Sequence, residues 1–103
     1  MKHSTIYRVY VGLTTQDGVE ISADDAGTAV LAALSDAGIK GATILKGLGV
    51  WEGAVEECFV VEVVASPPAS ISGEIRSVAV RLKRDLNQAA VLLTSVAGQS
   101  EVV

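Results

Sequence analysis

The chain has 103 residues, half of them hydrophobic and 19% charged, with a formal net charge of −4, which allows one domain around one core and lies well above the composition of a disordered chain. The negative charge argues against a nucleic-acid partner, because phosphate backbones repel it. A single Cys58 excludes an internal disulfide, a lone His3 offers no metal cluster, and no apolar run approaches the ~20 residues of a membrane-spanning helix.

Ile6–Leu13 alternates and is rich in Val and Tyr, as a strand is. Tyr7, Val9, Val11 and Leu13 share one face; Ile6, Arg8 and Tyr10 share the other. Arg8 inside this first apolar run makes a poor secretory signal, so a soluble cytoplasmic protein is expected. After a Gln16-Asp17-Gly18 turn, Ser22 stands before Ala23-Asp24-Asp25, an N-cap followed by acids in the first helical turn. Ala26, Ala29, Val30, Ala33, Leu34 and Ala37 then recur at helical spacing up to a stop at Gly38. A second strand begins over Ala42–Lys46, breaks at Gly47 and Gly49, and resumes toward Trp51. Glu56–Ala65 is the third strand, with Phe59, Val61, Val63 and Ala65 on one face and Cys58, Val60, Glu62 and Val64 on the other. Two apolar faces predict a central strand, ended by Ser66-Pro67-Pro68. Ser70 or Ser72 caps a second helix running to about Leu86, with an apolar stripe at Ile71, Ile75, Val78, Ala79, Leu82 and Leu86. Asn87 suits a left-handed cap, Ala89–Val96 is the last strand, and residues 97–103 form an extra short strand or a flexible tail.

The order β-α-β-β-α-β predicts a single α+β domain over 1–103: a ferredoxin-like sandwich, with a four-stranded antiparallel sheet and two helices on one face. The other sheet face is then open and apolar, and oligomerisation is the economical way to cover it.

Gly41–Gly47 reads G-A-T-I-L-K-G, and on the second strand of such a chain it resembles the PII-like proteins, in particular an uncharacterised branch with G-A-T-x-L-(K/R)-G segments. A second uncharacterised bacterial family is also similar, through Tyr10-Val11-Gly12, Gly49-Val50-Trp51, Glu57 and Gln88-Ala89-Ala90-Val91-Leu92. The resemblance implies a homotrimer whose sheets face inward, with nucleotides or other small anions held in clefts between subunits. The loop joining strands two and three, about Gly47–Val55, is short beside that of classical signalling members.

Lys46, Gly47, Gly49, Trp51 and Glu52 read as a cleft wall, with backbone N–H groups and the Lys46 ammonium for an anion and Trp51 for a flat ring. The same residues also read as a β-bulge plugged by Trp51. Arg8, Tyr10, Glu62 and Arg81 are candidates for the opposite wall. Glu62 equally pairs with Arg8 across the sheet, and Arg81 equally belongs to the solvated face of the second helix. Cys58 reads as a small buried apolar residue, and Asn87 and Gln88 as helix caps or as residues reaching a cleft, capping being favoured. No Ser/His/Asp set, paired acids or metal cluster is visible, and Glu56 and Glu57 point to opposite faces of one strand. The expectation is therefore a non-enzymatic module with no cofactor, which senses or sequesters a small anionic or nucleotide-like ligand. The alternative is a ligand-free assembly protein that uses the open face alone.

Overall fold

Strand alternation and helical spacing resolve into six elements in the computed structural model, which describes residues 1–67 and 70–103. They are β1 (Lys2–Gly12), α1 (Ala23–Asp36), β2 (Thr43–Trp51), β3 (Ala54–Ala65), α2 (Ser72–Asp85) and β4 (Leu92–Ser100). The strands form one antiparallel sheet in the order β2-β3-β1-β4, so the fold is α+β and ferredoxin-like, with β3 and β1 central.

One face of the sheet carries the core. Tyr7, Val9 and Val11 of β1 and Phe59, Val61 and Val63 of β3 are buried against Ala26, Val30, Ala33 and Leu34 of α1 and Ile75, Val78, Ala79 and Leu82 of α2. The small side chains of α1 let that helix lie close to the sheet, and aliphatic packing stands in for the missing aromatic bulk. Ser22 caps α1 as its position predicts, its Oγ accepting from Asp25 N at 3.0 Å. Gly38 (φ +74°) and Asn87 (φ +48°) end the two helices in the left-handed region.

Several boundaries differ from the sequence reading. β2 does not break at Gly47 and Gly49; it pairs with β3 without interruption from Thr43↔Glu62 to Trp51↔Ala54, so there is no bulge. The connection is a two-residue turn at Glu52-Gly53, whose φ values of +50° and +79° match the twist of a hairpin. α2 is capped at Ile71 with no side-chain bond, rather than at Ser70 or Ser72. β4 starts three residues later than Ala89 and continues to Ser100, which absorbs part of the expected tail. Pro68, expected to help end β3, lies outside the described residues. No helix among the described residues is long and apolar enough to cross a membrane.

Candidate functional site

The antiparallel register decides which side chains share the open face. Opposed residues point the same way, so this face carries Ile6, Arg8, Tyr10 and Gly12 from β1, and Glu56, Cys58, Val60, Glu62 and Val64 from β3. From β2 come Thr43, Leu45, Gly47, Gly49 and Trp51, and from β4 come Leu92, Thr94 and Val96.

At one end of this face the side chains are missing in a pattern. Gly47 and Gly12 flank Cys58 on its two sides, and Gly49 stands opposite Glu56. Three glycines on the two strands that flank β3 thus leave a trough floored by backbone, with Cys58 and Glu56 of β3 along its middle. Leu45, Val60 and Tyr10 rise on one side of it, and Trp51 stands on the other, 71% exposed. Backbone at the floor of a recess allows a flat ligand to approach more closely than side chains would.

Gln88 closes the trough beyond Gly12. Although it precedes β4, it is only 7% exposed. Its Nε2 donates to Thr14 O and to Leu86 O, both at 3.1 Å. Two carbonyl partners fix the amide's orientation, since only the nitrogen can donate to them. The amide oxygen therefore faces Gly12, where a Cβ atom would lie 3.0 Å from it and 2.6 Å from Glu56 Oε1. Two acceptor oxygens converge on one glycine, and among the described residues neither accepts a hydrogen bond from a side chain, nor does Glu56 have a cationic partner. The junction that holds Gln88 is itself well tied: Gln88 N donates to Lys83 O at 2.9 Å, Gln16 N donates to Asn87 O at 2.8 Å, and Asn87 Nδ2 donates to Asp17 at 2.7 Å.

The sequence candidates divide between the two faces. Gly47, Gly49, Trp51 and Tyr10 border the trough. Arg8 and Glu62 lie further along the same face and bond to each other, Arg8 Nε donating to Glu62 at 2.8 Å, as the cross-strand pairing predicts. That bond, and next the Glu62 charge, hold the Arg8 guanidinium above its already high range. Lys46 is on the other face, opposite Phe59, with its Nζ 3.4 Å from Glu57. Glu52 forms the hairpin turn. Arg81 sits in the helix layer across the sheet, where it donates to Asp85 at 3.1 Å, to Ala32 O at 3.3 Å, and to Asp36. Hydrogen bonds from Arg81 and then Arg84 hold the Asp85 carboxyl below its ordinary range. Glu56 is the trough residue that sequence reasoning passed over, whereas Gln88, read as a helix cap or a residue reaching a cleft, does reach the recess. Strand parity would have joined Glu56 to Cys58 and Val60.

No protein-family model and no curated protein sequence matches the chain. Solved structures do. A phage SAM lyase in complex with S-methyl-5′-thioadenosine aligns with a TM-score of 0.77 at 19% identity, over 90% of this chain and 80% of that chain. A phage SAM lyase in its apo state gives a TM-score of 0.68 at 18% identity, over 96% and 91%. The likeness is one of fold. It also corrects the expectation of a non-enzymatic module. That expectation rested on the absence of a catalytic constellation, and the neighbours that share this architecture are enzymes.

Proposed function

We propose that the protein is an enzyme, a lyase acting on SAM (S-adenosylmethionine) or a closely related adenosyl sulfonium, bound in the glycine trough of the open sheet face. One observation carries this reading: Glu56, a carboxylate without a cationic partner among the described residues, stands in a recess bordered by aromatic side chains, on a fold shared with a lyase in complex with S-methyl-5′-thioadenosine. An unpaired carboxylate favours a cation over the anion expected from the sequence. Trp51 and Tyr10 supply flat surfaces for an adenine ring.

The chemistry asks little of the protein. Cleavage of the bond between sulfur and Cγ sends its electron pair to sulfur and turns the sulfonium into the neutral thioether of S-methyl-5′-thioadenosine. The substrate's own α-carboxylate reaches Cγ through a five-membered ring, so its oxygen forms the new bond as the old one breaks. The second product is a lactone that keeps the ammonium group, and no proton is transferred. Such a reaction needs no protein nucleophile and no general base; it needs the substrate folded into the reactive geometry. A trough with one carboxylate and no catalytic triad is suited to it.

The remaining expectations belong to the same reading. The exposed Leu45, Val64, Leu92 and Val96 on the open face favour a homo-oligomer, and a PII-like trimer is the arrangement proposed. SAM is a metabolite of the cell interior, which supports a cytoplasmic site of action. The test is incubation of the purified protein with SAM, followed by chromatography for S-methyl-5′-thioadenosine. Product from the wild type and at least about tenfold less from Glu56→Gln is the expected result, since hydrogen bonds to a charged group are worth that much or more. Unchanged SAM would overturn the proposal.

A further inference from the structure

We propose that Gly12, Glu56 and Gln88 make a subsite for a primary ammonium group, and that Gly12 is its positioning residue. The inference rests on the lyase reading only for which molecule carries the ammonium.

The case begins with Gln88. Its amide nitrogen is spent on two backbone carbonyls and its side chain is buried, so the amide oxygen cannot rotate away from Gly12. Glu56 is partly exposed, and among the described residues no hydrogen bond or ion pair holds its side chain. Both oxygens nonetheless close on the same point, one neutral and one negative, with no donor between them. A compact group with several N–H donors and a positive charge satisfies both at once, and a primary ammonium is that group. An anion is repelled there, and a fully alkylated cation has no proton to give either oxygen.

Gly12 is not required by the backbone. Its φ lies outside the positive region, and it pairs with Cys58 in an ordinary antiparallel ladder. Any L residue fits that conformation. What glycine supplies is space: a Cβ there would lie 2.6 Å from Glu56 Oε1 and 3.0 Å from Glu56 Cδ. Since Gln88 is fixed, a methyl at position 12 displaces the Glu56 carboxylate and separates the two acceptors.

The experiment compares two nucleosides by calorimetry. S-adenosylhomocysteine carries the ammonium and is not a sulfonium; S-methyl-5′-thioadenosine lacks the ammonium. Gly12→Ala should remain folded, checked by its melting transition, because the nearest group its methyl displaces is the end of the Glu56 side chain. It and Glu56→Gln should each lose roughly 10- to 100-fold in affinity for S-adenosylhomocysteine, with affinity for S-methyl-5′-thioadenosine unchanged. Shortening the acid relieves the crowding, so Gly12→Ala combined with Glu56→Asp should recover affinity relative to Gly12→Ala alone. Equal losses for both nucleosides, or none for either, overturn the subsite and leave the lyase reading standing; failure of the recovery overturns the positioning role. A wild type that binds neither nucleoside overturns the lyase reading instead. The subsite is then decided with methylammonium, tetramethylammonium serving as control. Saturable shifts of the Gln88 side-chain amide resonances, seen with methylammonium alone and lost in Gly12→Ala, uphold it, and their absence overturns it.

Discussion

Trp51 is the chain's one tryptophan, and its indole is largely exposed at the edge of the trough. Little packing is lost when it is removed, so Trp51→Ala should leave the melting temperature near that of the wild type. Stacking of a base on an aromatic ring is worth about 1–3 kcal/mol. The same variant should therefore weaken binding of S-methyl-5′-thioadenosine by about that amount, measured by calorimetry. In the wild type the lone indole gives a direct readout, with saturable fluorescence change on adding the nucleoside. A normal affinity in Trp51→Ala would remove the stacking role and return this residue to the part of a surface aromatic. Lys46 offers the contrasting case. Placed on the helix side of the sheet and bridged to Glu57, it is separated from the trough by the sheet itself, and Lys46→Met should leave nucleoside binding unchanged.

Among the elements, α1 and α2 are joined by the Arg81 guanidinium, which reaches Asp85 on its own helix and Ala32 O and Asp36 on the other. Arg81→Met should lower the melting temperature at neutral pH. The pH dependence has a definite sign. The folded Asp85 carboxyl lies below its ordinary value of 3.8, so its stabilising contribution is present above that value and is lost as pH falls through the lower folded one. The melting difference between wild type and Arg81→Met should accordingly narrow in acid below 3.8; a constant gap would mean that Asp85 is not the group involved. The elements themselves were largely legible in the sequence. Alternation marked β1 and β3 and assigned their faces correctly, Ser22 and Gly38 bounded α1, and the Arg8–Glu62 pair followed from position. The course of β2 was not legible, because Gly47 and Gly49 carry no side chain to alternate and read as a break. The ladder with β3 overrides that weak local preference. The site was hidden for the same reason. It is made by absent side chains on two strands and by Gln88, which arrives from beyond the end of α2, and only the register brings them together.

For the whole molecule the two sheet faces set different expectations. On the covered face, Leu82 is fully buried between helix and sheet, and Leu82→Ala should cost about 2–5 kcal/mol in chemical denaturation. On the open face, four strands of at least nine residues, at about 3.3 Å per residue and about 4.8 Å between strands, span roughly 550 Å² before side-chain relief. That approaches the ~800 Å² per partner of a stable interface. Native mass spectrometry should find a homo-oligomer that Val96→Lys reduces to monomer; a monomeric wild type would take the oligomer out of the proposal. The trough has a further consequence, for how such a protein changes over time. A Cβ atom at Gly47 or Gly49 meets its nearest neighbour at 3.5 and 3.8 Å, ordinary contact distances, whereas one at Gly12 collides. Positions 47 and 49 are therefore adjustable by single-codon steps, each alanine or serine lining the recess without disturbing the framework. A small library at those two codons would let selection, natural or imposed, resize the cavity for new ligands while the chain keeps folding.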